Sequence, residues 1–201
     1  EPKWIQATDA LDEFRLRPNV YLLSVSRLVP HKGQHYLIEA FQSLCSDEPE
    51  LVKDLQLVIV GAQSYGAQYQ SELSRLAYGN QRIRFLGFQS GATLDQLYTH
   101  ARLFVHASEA EGLPVAVLEA MSFGLPVLVS DIPENLEALH HTGFTFTSGS
   151  VPDLTKVLAS LLRHPRLLDQ ARGESRAIIE RFFNWETIAQ ETLSVYRSLR
   201  H

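Results

Sequence analysis

The sequence lacks features that mark several large classes of protein. Its single cysteine, Cys45, excludes an internal disulfide framework and a cysteine-based zinc cluster. No apolar run approaches the roughly 20 residues that a membrane-spanning helix requires, and no segment is typical of a signal peptide. The net charge is −5 and the pI is near 5.9, so the chain has no excess of basic residues of the kind that nucleic-acid-binding proteins carry. We therefore expect no nucleic-acid partner.

The familiar glycine and metal motifs are also missing. Neither GxxxxGK[ST] nor GxGxxG follows a predicted strand, so neither a P-loop nor a standard NAD site is expected. His31 and His35 lie four residues apart, but no carboxylate cluster accompanies them. We therefore predict no metal site.

Strands and helices alternate along most of the chain. Continuous apolar runs predict buried strands at 20–25, 55–61, 83–87, 103–105, 126–130 and 144–146. Helical spacing fills the segments between them, and the tail from 151 to 200 is predicted to be helical. This alternation predicts an α/β fold with a doubly wound parallel sheet, of the Rossmann-like kind. Residues 1–19 have no clear period and are interpreted as a linker or loosely attached arm, and 20–201 as one domain.

The loops that follow the strands should share one edge of the sheet, where doubly wound proteins bind ligands. Arg27 and Lys32 lie in the first of these loops, and Gly33 is predicted to open the next helix. Lys32 would then lie at a helix N-terminus, where the helix dipole disfavours a cation. A bound phosphate would remove this mismatch. Two solvated surface charges explain the pattern equally well when it is taken alone.

Two carboxylates, Glu111 and Glu119, lie eight residues apart around a predicted helix start. The segment Glu111-Gly112-Leu113-Pro114 offers free amides for an anion or a sugar hydroxyl, and Pro114 suits the first turn of a helix. The helix at 115–123 has no polar face, so Glu119 should be covered and needs a hydrogen-bonding partner. We predict that Glu111 accepts hydrogen bonds from sugar hydroxyls and Glu119 from a ribose. The alternative is a Glu119 that is solvated or paired with an arginine.

One histidine has two interpretations. His106 ends a predicted strand at the ligand-binding edge. It either lines the pocket or is a hydrogen-bonded structural histidine.

The sequence as a whole resembles a known family. Residues from about 20 to 199 are similar to the C-terminal, nucleotide-sugar-binding half of group 1 retaining glycosyltransferases with the GT-B fold. The segments that carry this resemblance are SRLVPHKG, VIVG, RFLGF, EAEGLPVAVLEAMSFGLPVLVSD and FFNWETIAQ. The Glu-x7-Glu pattern with GLP inside it, together with SRLVPxKG upstream, makes the resemblance specific.

The resemblance implies roles for individual residues. Arg27 and Lys32 would bind the donor diphosphate, Glu111 would contact the transferred sugar and Glu119 would hold the ribose. Phe88 matches the segment whose backbone meets the base. No metal or other cofactor is implied, and the sequence has no Asp-x-Asp motif.

The resemblance also implies an enzyme that is incomplete in this chain. It would transfer a sugar from a nucleoside-diphosphate donor to a glycan or lipid-type acceptor, with retention. The acceptor-binding domain would lie upstream, and the start at Glu1 instead of Met makes us expect a part of a longer protein. We expect nucleotide binding but little or no transfer by this chain alone. The expected location is the cytoplasm or the membrane surface, with any peripheral membrane contact made through the absent domain.

Two departures from the family pattern leave the donor sugar open. Ala62-Gln63 stands where many members have a further glycine, and SDIPENLE replaces a glycine pair before Pro-Glu, with Glu137 aligned to the acidic residue there. A nucleotide-sugar epimerase or sugar-phosphate synthase on the same fold is one alternative, and a non-catalytic nucleotide-sugar-binding module is another. The sequence leaves open the base, the acceptor, the linkage and the oligomeric state.

Overall fold

The protein is built on one six-stranded sheet. The computed structural model describes residues 5–62 and 68–199. The strands are β1 (Tyr21–Val25), β2 (Gln56–Val60), β3 (Ile83–Phe85), β4 (Leu103–His106), β5 (Val127–Ser130) and β6 (Phe144–Phe146). All neighbouring strands pair in parallel, in the order β3-β2-β1-β4-β5-β6. This order confirms the predicted doubly wound, Rossmann-like sheet, and it places the switch in strand order between β1 and β4.

Helices cover both faces of the sheet. They are α1 (Asp9–Glu13), α2 (Gln34–Asp47), α3 (Gln68–Leu76), α4 (Gly91–His100), α5 (Val115–Ser122), α6 (Pro133–Leu139), α7 (Val151–Arg163), α8 (Pro165–Phe182) and α9 (Trp185–Ser198). A short 3-10 helix, Pro30–Lys32, precedes α2. One face packs against α2, α3 and α7, and the other against α1, α4 and α5. No helix among residues 5–62 and 68–199 is long and apolar enough to cross a membrane.

The central strand β1 shows why the strands are continuous apolar runs. Leu22 and Leu23 point to opposite faces of the sheet, and neither side chain is exposed to solvent. A strand that is covered on both faces has no polar side, so it shows no alternation of polar and apolar residues.

The N-terminal segment differs from the loosely attached arm that was predicted. Leu11 and Leu16 are buried against the face that carries α4. The backbone amide of Ala10 donates to Gln96 Oε1 at 2.9 Å, and Gln96 Nε2 donates to Asp9 Oδ1 at 3.0 Å. A helix of five residues is too short to show a hydrophobic period, which explains why the sequence pattern missed it.

Most of the loop after β2 lies outside the described residues. Of residues 62–66, where we expect a loop, only Ala62 is described, and Ala67, where we expect the next helix to begin, also falls outside the described residues.

Candidate functional site

The loop after β1 is held tightly against the loop after β4. Gly33 caps α2 with a left-handed φ of 67°, and a Cβ on it would lie 1.9 Å from the carbonyl oxygen of Ala107. Only glycine fits such a close approach. The backbone of Glu109 also donates to the carbonyl of His31 at 2.8 Å. These contacts bring Lys32 beside the segment that begins at Glu111.

A buried glutamine at the start of α2 fixes the backbone of Arg27. Gln34 is only 1% exposed, and its Nε2 donates to Arg27 O at 2.9 Å and to Ser26 Oγ at 2.6 Å. The hydroxyl of Tyr69 donates to Gln34 Oε1 at 3.1 Å. The sequence analysis did not single out Gln34, because a polar residue in the first turn of an amphipathic helix is ordinary.

The central feature of this edge is a charge cluster around Glu111. Lys32 Nζ lies 2.6 Å from Glu111 Oε1, and His106 Nε2 lies 2.6 Å from the same oxygen. The side chains of Lys32, Glu111 and His106 are 13%, 5% and 3% exposed. Burial alone would raise the pKa of Glu111, but the hydrogen bonds and charges of His106 and Lys32 outweigh it and lower this pKa to about 2. Glu111 is therefore an ionised carboxylate at any pH in the ordinary range.

Arg27, the neighbouring cation, differs from Lys32 in its surroundings. Arg27 is exposed, and within the described ranges its guanidinium makes no ion pair. The backbone amides of Gly112 and Leu113 donate no hydrogen bond to any described residue. A cation and two donors are thus available at this edge, a combination that suits an anion.

Two cavities of similar size meet at Arg27. The first, which we call the polar cavity, has a volume of about 470 Å³ and is lined by Arg27, His31, Lys32, Ala110, Glu111, Gly112 and Leu113. The second, the apolar cavity, also measures about 470 Å³, and its lining includes Arg27, Val60, Gly61, Phe88, Val115 and Glu119. Predicted site residues line both, with Pro114 placed between them as the cap of α5.

The surroundings of Glu119 correct one prediction. The helix α5 was expected to be covered on most sides, but Val115 is 55% exposed and Glu119 is an exposed residue. Both residues face the apolar cavity instead of the core. The hydroxyl of Tyr98 donates to Glu119 Oε2 at 3.1 Å, and burial together with this carboxylate raises the pKa of Tyr98. Glu119 is therefore held at the cavity wall by a partner that sequence reasoning did not identify.

Comparison with known proteins assigns the chain to a family. The profile of the family described as "Glycosyl transferases group 1" matches residues 12–178. The chain belongs to the group 1 glycosyl transferases. Its structure is accordingly a Rossmann-like half of the GT-B architecture, and the names of its mannosyltransferase relatives fit polysaccharide and glycoconjugate biosynthesis.

Two relatives in this family are mannosyltransferases. The chain is 31% identical over 184 residues to the GDP-mannose-dependent monoacylated alpha-(1-6)-phosphatidylinositol monomannoside mannosyltransferase of Corynebacterium glutamicum, an alignment that covers 86% of this chain and 46% of that protein. It is 27% identical over 191 residues to the O-antigen chain mannosyltransferase B of Escherichia coli, covering 94% of this chain and 49% of that protein. The chain thus spans about half the length of these relatives.

Two solved structures are similar to almost the whole of this chain. The Anabaena protein HepE, crystallised with UDP and glucose, matches with a TM-score of 0.83 and 26% identity, over 95% of this chain and 52% of HepE. The C-terminal domain of a group 1 glycosyl transferase (LpcC) from Francisella tularensis matches with a TM-score of 0.76 and 18% identity, over 92% of this chain and 96% of that domain. The second likeness shows the fold alone, and it is a likeness to an isolated C-terminal domain.

A third cavity lies beside the polar cavity. It measures about 400 Å³, and its lining includes Gly112, Leu113, Glu134 and Glu137. Glu134 and Glu137 therefore line a cavity that shares Gly112 and Leu113 with the polar cavity. Asp131, in contrast, accepts a hydrogen bond from the backbone of Ser148 at 2.8 Å, which is a structural role.

A cavity of about 480 Å³ lies at the opposite edge of the sheet and contains none of the predicted site residues. Two arginines in its lining join separate segments of the chain through hydrogen bonds. Arg172 donates to Ala101 O at 3.1 Å and to Asn19 Oδ1 at 3.2 Å. Arg102 donates to Leu162 O at 3.4 Å. Burial lowers the pKa of both guanidinium groups. We attribute this cavity to the packing of α8 under the sheet.

A buried polar network that the sequence analysis missed supports the loop before Glu111. Asn135 Nδ2 donates to Ser130 Oγ at 2.9 Å, to Ser130 O at 3.1 Å and to Ser108 Oγ at 3.4 Å, and Ser130 Oγ donates to Ser108 O. All three residues are fully buried. The network therefore joins the loops after β4 and β5.

Replacing Asn135 by alanine should lower the free energy of unfolding by about 1–3 kcal/mol, because buried acceptors on Ser130 and Ser108 lose their donor. Asn135→Asp should be at least as damaging, since its carboxylate would face the carbonyl of Ser130. Urea denaturation of both variants measures this. Unchanged stability in both would show that the network does not hold the loop.

The described part of the chain has no group of three or more His, Cys, Asp or Glu side chains that could hold a metal ion. His35, one of the two spaced histidines, instead places Nδ1 2.8 Å from the hydroxyl of Tyr69.

Proposed function

We propose that this chain is the donor-binding domain of a retaining glycosyltransferase that uses a nucleoside-diphosphate sugar. The observation that carries the proposal is the pair of adjoining cavities, one apolar and one polar, that share Arg27. A nucleotide sugar has the same division, with an apolar base at one end, a charged diphosphate in the middle and a hydroxyl-rich sugar at the other.

The apolar cavity fits the nucleoside. Phe88 is 72% exposed at its rim and offers an aromatic face and a backbone to the base. Glu119 lies in the same wall and accepts hydrogen bonds from the ribose hydroxyls in our proposal. Its hydrogen bond from Tyr98 holds the carboxylate at that wall.

The polar cavity fits the diphosphate. Arg27 and Lys32 supply positive charge, and the amides of Gly112 and Leu113 supply donors at the N-terminus of α5. When the bond between sugar and diphosphate breaks, negative charge grows on the leaving phosphate. Fixed cations and amides at that position stabilise the charge where it develops. We propose that these groups stabilise the leaving group without a metal or other cofactor. We also propose that transfer proceeds with retention, as the resemblance to retaining group 1 enzymes implies.

In this proposal Glu111 contacts the transferred sugar. Lys32 and His106 both use its Oε1, and Oε2 accepts no hydrogen bond from any described residue. An ionised carboxylate oxygen without a partner is a strong acceptor for a sugar hydroxyl.

The acceptor is not expected to bind to this chain alone. Because the chain spans about half the length of its relatives, we propose that an upstream domain binds a glycan or lipid-type acceptor. We expect the isolated 201 residues to bind a nucleotide but to transfer sugar poorly or not at all. In the whole protein, that domain would also make any contact with a membrane surface from the cytoplasm.

Calorimetric titration of UDP, GDP and ADP tests the proposal. GDP and UDP are included because relatives are described with GDP-mannose and with bound UDP. We expect one nucleotide to bind, and Lys32→Ala and Glu119→Ala each to weaken it by about 1–3 kcal/mol, as expected for lost hydrogen bonds to charged groups.

Lys53→Ala is the matched control, because Lys53 lies at the exposed surface and pairs with Glu50 alone among the described residues. It should leave nucleotide affinity unchanged. If none of the three nucleotides binds the chain, or if Lys53→Ala weakens binding as much as Lys32→Ala, the donor-domain proposal fails. Assays of donor hydrolysis and epimerisation with the longer protein separate transfer from the alternative chemistries on this fold.

A further inference from the structure

His106 is buried in a way that packing alone does not explain. It is 2% exposed and ends β4 with its ring stacked near Phe104, at a centroid distance of 6.1 Å. Its Nε2 lies 2.6 Å from Glu111 Oε1. Its Nδ1 is buried and has no hydrogen-bond partner among the described residues. A buried nitrogen without a partner costs free energy, so the imidazole must be compensated by its other nitrogen.

The hydrogen-bond direction between these two groups follows from chemistry. An ionised carboxylate can only accept hydrogen bonds. Nε2 of His106 must therefore carry a hydrogen atom and donate a hydrogen bond to Glu111 Oε1. The buried Nδ1 then has no hydrogen-bond partner among the described residues, and this unfavourable burial accompanies the hydrogen bond by which Nε2 holds Glu111 Oε1 in place.

Lys32 has two competing roles in the proposed site. It pairs with Glu111 at 2.6 Å in this structure, but it must also face the diphosphate when the donor binds. His106 has no such second role, because it is more deeply buried and does not line the polar cavity. When Lys32 turns towards phosphate, His106 is the partner that remains on Glu111 Oε1.

We infer that His106 is a positioning residue for the sugar: it holds Glu111 Oε1 so that Oε2 is presented to a hydroxyl of the transferred sugar. This inference rests on the proposed function, and it assigns His106 to recognition of the sugar instead of the nucleotide. It predicts that His106 matters for binding a nucleotide sugar and has little effect on binding the corresponding free nucleoside diphosphate.

The test compares variants at His106 in calorimetric titrations of UDP, UDP-glucose, GDP and GDP-mannose with this chain. His106→Met keeps bulk but has no donor, and we expect it to weaken nucleotide-sugar binding about 10-fold, as loss of a hydrogen bond to a charged group implies. Free UDP or GDP should bind with unchanged affinity. His106→Gln should restore sugar-dependent binding, because its amide nitrogen can reach the position of Nε2.

Two further measurements keep the inference separate from a purely structural role. The melting temperature of each variant shows whether the fold is kept, and His106→Asn, whose shorter amide cannot reach the Nε2 position, should behave like His106→Met. If His106→Met does not fold, the contrast between Gln and Asn decides the question.

Equal weakening of the free nucleotide and the nucleotide sugar, or no weakening of either, would overturn the inference while leaving the donor-domain proposal in place. Failure of the unmodified chain to bind any of these four compounds or ADP would instead overturn both.

Discussion

Replacing Gly33 by alanine is expected to destabilise the folded chain strongly. The new Cβ would lie 1.9 Å from the carbonyl oxygen of Ala107, which is a backbone atom that cannot rotate away. The φ of +67° adds the strain of a left-handed conformation. Together we expect the free energy of unfolding to fall by roughly 3–5 kcal/mol, from overpacking and backbone strain. Urea denaturation followed by circular dichroism measures the loss.

A matched control separates these two contributions. Gly87 has the same φ of +67°, but a Cβ there would meet nothing within 4 Å. Gly87→Ala should therefore show the backbone strain alone, about 1–2 kcal/mol. If Gly33→Ala and Gly87→Ala lose equal stability, the close approach of the two loops does not contribute, and the proposed reason for glycine at 33 is wrong.

The sheet could be predicted from the sequence because each strand carries its own signal. Runs such as Tyr21–Val25 and Gln56–Val60 are apolar on both faces, which is typical of a buried parallel strand. Helical segments of ordinary length separate them, so the doubly wound topology follows with little ambiguity. The short helix α1 has no such local signal, because its two buried residues are buried by contact with α4, which lies far away in the sequence.

The sequence brought the residues of the candidate site to one edge of the sheet, but it did not show how they pair. Arg27, Lys32 and Glu111 line the polar cavity, and Arg27 and Glu119 line the apolar cavity. Lys32 and Glu111 are 79 positions apart, and nothing local in either segment shows that they form an ion pair. That contact depends on how closely two loops pack, which Gly33 determines through a tertiary approach.

The exposed face of α5 shows a limit of periodicity. A helix whose residues are nearly all apolar is normally covered by protein. In this structure Val115 lies in the wall of the apolar cavity. A face that is apolar for binding a ligand gives the same sequence pattern as a face that is apolar for packing, so the pattern cannot separate the two.

The second large effect is expected at Glu111. Glu111→Gln keeps the shape of the side chain but removes its charge, which leaves Lys32 mostly buried without its partner. Breaking a buried pair from one side costs about 3–5 kcal/mol, because the remaining charge stays desolvated. We expect the free energy of unfolding at pH 7 to fall by about 3 kcal/mol, the lower end of that range, because the pair borders a cavity. Urea denaturation of the variant beside the unmodified chain measures the loss.

The pH dependence of this loss has a definite sign. In the folded chain the pKa of Glu111 is lowered to about 2, whereas an unfolded glutamate titrates near 4.3. The unfolded state therefore binds the proton more readily at acidic pH, and the stabilisation by Glu111 is fully present above the unfolded pKa. It is lost as the pH falls from about 4.5 towards 2. The stability gap between the unmodified chain and Glu111→Gln should be largest at pH 7 and clearly smaller at pH 3.

A double substitution tests whether the loss arises from the unpaired lysine. In Glu111→Gln, changing Lys32→Met removes the buried charge that no longer has a partner, so part of the lost stability should return. The same double variant should still bind a nucleotide about 1–3 kcal/mol more weakly, as expected for Lys32→Ala, because the lysine that contacts the diphosphate is missing. Stability that returns while nucleotide binding stays weak would separate the two roles of Lys32: it pairs with Glu111 in the free protein and with the diphosphate when the donor is bound. If the double variant is as unstable as the sum of its single changes, Lys32 and Glu111 are not coupled, and the measured gap has another cause.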